Sequence, residues 1–224
     1  MPLVFESEEE AAYARSRLDE RLEKGLEEAG WVNFGFAAGG FANLMSNTPI
    51  RRLEDLKGKK VWIPEGDGIS LESMQALSLT PVSLPLTDVL TGLQTGLIDI
   101  VPMSPVGALV LQWHTKVKYI TEFPLSYTLV FMAVDNRAFD KISPADQAIV
   151  REVMYRTDEN FNRQNLVDNQ EALQALLNAG IESLPVDAVE FEKVRAVVME
   201  SNRNLGSKGY FSPDVYEEML GYIE

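Results

Sequence analysis

The sequence contains no cysteine and only one histidine, His114, among 224 residues. The first absence excludes disulfides, thiolate nucleophiles and Cys-ligated metals, while fitting either a reducing or an oxidising compartment. The second excludes zinc sites built from clustered histidines. Positive charge is scarce as well: 20 Lys+Arg stand against 34 Asp+Glu, a formal net charge of −14. A surface of that sign repels nucleic acid and anionic membranes before any specific contact forms, so neither is expected as a partner. No apolar run approaches the ~18 residues of a membrane span, and no direct membrane insertion is expected. Catalytic signatures are missing too, with no G-x-S-x-G, P-loop, H-E-x-x-H or C-x-x-C.

What remains is globular in composition, 46% hydrophobic and 24% charged, and long enough for one large or two small domains with a real core. The start, Met1-Pro2-Leu3-Val4-Phe5, runs directly into Glu6-Ser7-Glu8-Glu9-Glu10. It has no basic n-region, apolar h-region or small-residue cleavage site, so it does not read as a signal peptide. Either the chain is made in the cytoplasm or its beginning has been lost.

Ser7 and Glu10 form a capping-box pattern that predicts a helix from Ala11 to Ala29, stopped by Gly30. Trp31 to Ala37 reads as a strand ending in Ala38-Gly39-Gly40, where the glycine pair signals a turn or a close backbone approach. Between Lys59 and Met103, short strands at Val61–Pro64, Val82–Leu84 and Leu97–Pro102 alternate with helices from Ser70 to Leu77 and from Asp88 to Thr95. The second of these helices is capped by Thr87 and stopped by Gly96. This alternation predicts βαβ units and a parallel sheet, hence an α/β fold. A helix over Pro105–Thr115 and strands at Lys118–Thr121 and Thr128–Val134 follow.

Ser143-Pro144-Ala145-Asp146 then supplies an N-cap, a first-position proline and a first-turn acid, and no glycine or proline recurs until Gly180. A continuous helix of that length reaches ~50 Å, more than a small domain's diameter, so it is expected to bridge two domains. A strand at Ile181–Leu184, a helix from Ala188 to Arg203 and a last helix opened by Ser212-Pro213 complete the chain.

Candidate chemistry is thin. His114 sits near a helix end in Leu111-Gln112-Trp113-His114-Thr115-Lys116 and reads as a surface or capping residue. Glu65 and Asp67 could do acid–base work, although in so acidic a chain chance proximity is the commoner cause. Gly66-Asp67-Gly68 lies between a strand and a helix, where α/β proteins place ligands. It is either a structural turn or a contact to a ligand hydroxyl, amine or water, while its acids argue against a phosphate. Phe36, Gly39, Gly40 and Phe41 likewise either pack or line a cleft.

One ordered set of segments is specific. Gly40-Phe41-Ala42-Asn43, Pro49-Ile50, Asp55-Leu56-Lys57-Gly58-Lys59-Lys60-Val61-Trp62-Ile63-Pro64, Thr80-Pro81-Val82-Ser83-Leu84, Asp88-Val89 and Leu93-Gln94-Thr95-Gly96-Leu97-Ile98-Asp99 occur in that order. Together they resemble the substrate-binding proteins of TRAP transporters, the DctP-type family of tripartite ATP-independent periplasmic systems. The resemblance covers essentially the whole chain. It implies a two-lobe, periplasmic-binding-protein-like α/β fold with a long domain-spanning helix, no cofactor and no enzymatic activity. It also implies a periplasmic location, and membrane permease subunits that receive the ligand. Family members carry a signal peptide and roughly a further domain's worth of βαβ structure before the stretch matching Pro2-Leu3-Val4-Phe5, so the chain reads as N-terminally truncated. Residues 1–39 with 128–167 are expected to form an incomplete first lobe, and 40–127 with 168–224 a second, with the ligand cleft between.

The family pattern places an Arg after the Gly-aromatic pair, a second Arg on the strand before the Pro, and a polar residue after the Asp of the third strand. The second Arg forms a bidentate bond with the ligand carboxylate. Here those places hold Ala42, Trp62 and Met103. The expected ligand is therefore a small organic molecule with an apolar or aromatic body rather than a simple dicarboxylate. Trp62 would stack on it, unless Trp62 simply packs within its lobe. Met103 and Leu86 would form adaptable walls, Glu65, Asp67, Ser104 and Tyr127 the orienting polar contacts, and Phe41 and Ala42 are expected in the same site. The readings set against this one are an enzyme using Glu65/Asp67, a ligand-sensing interaction module of the same fold, and a truncated chain that binds nothing.

Overall fold

The computed structural model describes residues 1–223. Helix α1 (Glu8–Glu28) starts where the cap pattern places it, with Ser7 Oγ accepting from the Glu10 amide at 3.2 Å. Strands β1 (Trp31–Asn33) and β2 (Ala37–Ser46) follow, then α2 (Leu53–Leu56), β3 (Trp62–Pro64), α3 (Gly68–Ala76) and β4 (Val82–Leu84). A short 3-10 turn over Leu86–Asp88 leads to α4 (Val89–Thr95), β5 (Ile100–Met103) and α5 (Pro105–Val110). Next come β6 (Tyr119–Val130), β7 (Ala133–Asp135), α6 (Asn136–Phe139), α7 (Pro144–Asn178), β8 (Glu182–Leu184), α8 (Ala188–Ser207) and α9 (Pro213–Leu220). Among the described residues no helix is long and apolar enough to cross a membrane.

The main sheet has the order β5-β2-β6-β8, with β2 antiparallel to both β5 and β6 and β8 parallel to β6. A parallel bridge from Val61 to Ile100 joins it to the parallel pair β3-β4. The βαβ expectation thus holds for β4-β3-β5, but the sheet as a whole is mixed. Strand β2 makes the difference. Instead of ending in a turn at Gly39-Gly40, the chain continues through the glycines as a ten-residue strand. Its register with β6 shifts between Ala38 and Gly40, and Gly40 takes φ +80°. The expected close backbone approach is present: a Cβ on Gly39 would lie 3.0 Å from Thr128, and one on Gly40 2.9 Å from Asn169 Nδ2. Gly40→Ala is therefore expected to cost about 1–3 kcal/mol, since the positive φ and the clash must both be accommodated. Chemical denaturation of the variant measures it, and unchanged stability would mean that the bulge can relax.

Two expected strands fuse into one for a related reason. Strand β6 runs through Pro124 because its ladder with β2 is interrupted there, the pairing jumping from Ala42/Ser126 to Leu44/Thr121. A proline without an N–H fits where no ladder bond is required. The helix expected over Pro105–Thr115 stops at Val110. Gln112 adopts φ +59°, a 3-10 turn covers Trp113–Lys116, and His114 Nδ1 lies 3.1 Å from the Ala108 carbonyl oxygen, a capping contact. Thr87 caps nothing by its side chain, because the 3-10 turn inserts before α4; Gly96, at φ +69°, does end that helix.

Helix α7 is one 35-residue element, its N-terminus capped by Ser143 and its end followed by Gly180 at φ +94°. Three asparagines on one face fasten it to the sheet. Asn162 Oδ1 accepts from the Ala38 amide at 2.8 Å, and Asn165 Nδ2 donates to the Ala38 carbonyl. Asn169 Nδ2 donates to the Gly39 carbonyl at 3.2 Å, while its Oδ1 accepts from the Val106 amide at 3.3 Å. Side chains thus satisfy backbone groups that the β2 bulge removes from the ladder. Toward its N-terminus α7 leaves Ile149, Val153 and Phe161 exposed.

Candidate functional site

A cavity of about 340 Å³ opens where the ends of β3 and β5, the start of α3 and the middle of β2 and β6 converge. Ala42, Trp62, Asp67, Met103 and Ser104, five of the residues singled out from sequence, line it together. The register explains why. Ala42 pairs with Ser126 across β2/β6, and Asn43 with Met103 across β2/β5, so the strands meet at one level. Successive side chains on a strand face opposite ways. Ser126 and Thr128 both line the cavity, whereas Phe41 and Tyr127, also paired across the ladder, do not.

That alternation separates the residues expected to share one site. Phe41 and Tyr127 meet edge-on at 5.2 Å between ring centroids, and Phe5 packs on Tyr127 at 6.1 Å. Tyr127 lines a separate cavity of about 330 Å³ with Phe5, Arg15 and Tyr216. Burial first, then the Glu8 carboxylate, push its phenol up to about 12, so it stays protonated at neutral pH. Arg15, in the same place, is held by Asp19 at 2.9 Å, by Asn162 at 3.2 Å and by the Phe36 carbonyl. Leu86 is half exposed on its 3-10 turn, and Glu65 is exposed; neither lines the 340 Å³ cavity.

The polar residues that do line it are largely occupied by local structure. Asp67 caps α3, accepting from the Ser70 amide at 2.9 Å and the Ser70 hydroxyl at 2.6 Å. Ser104 caps α5, its Oγ accepting from the Gly107 amide at 3.3 Å. Trp62 is 4% exposed, meets Trp113 edge-to-face at 5.3 Å, and donates its indole N–H to the Leu84 carbonyl at 3.0 Å. Its polar handle is satisfied inside the protein, so only ring surface is left to border the cavity. Met103 lies across the first turn of α5, where a Cβ on Gly107 would fall 2.5 Å from its sulfur. Among the described residues lining the cavity there is no Lys, Arg or His.

Sequence reasoning missed the walls given by Pro2, Met74, Leu77, Leu125 and Val198, which come from four separate stretches: the N-terminal segment, α3 with its C-cap, β6 and α8. It also missed Asn169, which ties the β2 bulge to the first turn of α5 just beyond Ser104. The signal for Asn169 was available: asparagines at 162, 165 and 169 recur at helical spacing on one face of α7.

The architecture is that of the periplasmic solute-binding proteins. The chain superposes over its full length on 73% of a TRAP periplasmic solute-binding protein from Shewanella oneidensis, with a TM-score of 0.91 at 17% identity. Residues 1–208 match the model of the DctP family, described as bacterial extracellular solute-binding protein, family 7, and the chain belongs to that family. Among curated relatives, an uncharacterised protein of Haemophilus influenzae is 25% identical over 214 residues, covering 90% of this chain and 64% of that protein. The C4-dicarboxylate-binding periplasmic protein DctP of Rhodobacter capsulatus is 28% identical over 156 residues, 69% of this chain and 46% of that one. The chain therefore spans about two thirds or less of the length of these relatives. The family is one of extracellular solute receptors rather than of enzymes.

Proposed function

We propose that the protein is a periplasmic receptor that binds a small organic ligand with an apolar or aromatic body and delivers it to the membrane permease subunits of a TRAP-type transporter. The observation that carries the ligand class is the cavity wall. Where the family pattern has two arginines and a polar residue, Ala42, Trp62 and Met103 border the same cavity, and no cation joins them among the described residues. A carboxylate entering would leave water without gaining a charge partner, which costs several kcal/mol. The Shewanella oneidensis protein is described with bound succinate and the Rhodobacter capsulatus protein as C4-dicarboxylate-binding; the present wall favours a different ligand on the same fold. In this reading Trp62 and Met103 are apolar walls, and the hydroxyls of Ser104, Ser126 and Thr128 orient the ligand. The lobes are residues 1–39 with 128–167 and residues 40–127 with 168–224, the cavity drawing Pro2 and Thr128 from the first and Trp62 and Met103 from the second.

Mass spectrometry of small molecules carried through purification of the protein tests the reading. The expected finding is a neutral or predominantly apolar compound. A dicarboxylate or a sugar acid held in stoichiometric amount would refute it.

A further inference from the structure

Beside the ligand cavity lies a smaller one of about 40 Å³, and Met74, Leu77 and Leu125 line both. Its remaining wall includes Leu44, Val61, Phe123 and Val194, all buried. Thr121 contributes the one hydroxyl near that wall, and it already donates to the Ile50 carbonyl at 2.8 Å. The charged members of the lining are Arg51, Arg52 and Glu190, of which the two arginines are exposed. On the scale where a single water needs about 10–15 Å³, the space fits roughly three or four water-sized groups. Water gains little there, because a buried water needs two to four polar partners. The partition toward the ligand cavity consists of one methionine and two leucines, and an unbranched thioether side chain readily changes rotamer.

We infer that the ligand carries an unbranched apolar tail of about three or four carbons that passes Met74 and fills the smaller cavity, an inference that rests on the receptor reading above. The head occupies the space bordered by Ala42, Trp62 and Met103, and the tail lies between α3, α8 and the sheet. Filling removes the void and brings the tail into contact with Leu44, Phe123 and Val194.

Phenol and a series of 4-alkylphenols with tails of one to six carbons, titrated calorimetrically into the full chain, test this. Affinity is expected to rise about fourfold per added methylene and then level off once the cavity is full. Val194→Phe, which fills the smaller cavity from α8, is expected to flatten the series while leaving phenol binding unchanged. Val186→Trp, at a half-buried position of the same wall, is the second blocking variant should the first fail to fold. If phenol binds and tail length has no effect, or the slope survives both substitutions, the tail site is refuted while the receptor reading stands. If no member of the series binds, the apolar cleft fails and the tail inference fails with it.

Discussion

Trp62→Ala is expected to lower the thermal midpoint by roughly 6–20 °C, because removing a buried indole costs about 3–5 kcal/mol and each kcal/mol moves a domain of this size by about 2–4 °C. Trp62 is 4% exposed, packs on Trp113 and satisfies the Leu84 carbonyl, so the substitution leaves a void beside an unpaired acceptor. Trp62→Phe separates the two contributions: it retains an aromatic ring and loses the N–H, for a cost of about 1–3 kcal/mol. The same pair reports on function. A ring that walls the ligand predicts that Trp62→Ala abolishes retention of the co-purifying compound and that Trp62→Phe weakens it. A Trp62→Ala protein that folds and binds the compound unchanged would assign the indole to packing alone.

The second large effect runs the other way. Ala42→Arg places a guanidinium where the resemblance puts the first of the two family arginines, in a cavity whose only lining carboxylate among the described residues, Asp67, is engaged as the α3 cap. The uncompensated charge is expected to cost up to about 3–5 kcal/mol in the ligand-free protein. Succinate should then recover part of that loss, about 2.7 kcal/mol at a hundredfold excess over its dissociation constant, while leaving the midpoint of the native chain unmoved. Differential scanning calorimetry with and without succinate reads both. Equal responses from the variant and the native chain would mean that a cation at position 42 does not reach a bound carboxylate.

Much of the helical framework was legible because its signals are local. Ser7 with Glu10, Ser143-Pro144 and Gly180 mark ends that the chain enforces through nearby caps and backbone preferences, and α1 and α7 start and stop at them. The β4-β3-β5 segment was legible for the same reason, its strands and helices alternating at short range. Strand β2 was not, since two glycines inside a strand look like a turn until Thr128 and Asn169 are seen to need that room. Strand β6 was hidden by Pro124, which is tolerated only because β2 leaves that stretch of the ladder unpaired.

The candidate site divides along the same line. Its lack of a cation at Ala42, Trp62 and Met103 was written in the residues. The placement of Phe41 and Tyr127 on the opposite face was not, because it follows from pleat and register together, and a bulge resets the register. The sequence by itself determined the family, the long helix and the absence of a cation at Ala42, Trp62 and Met103, since these depend on residue identity and on neighbours close along the chain. Only the tertiary structure decided which side chains share a cavity, and that a second, apolar cavity lies beside Met74. Those outcomes depend on strands far apart in sequence meeting in one register, which no local preference encodes.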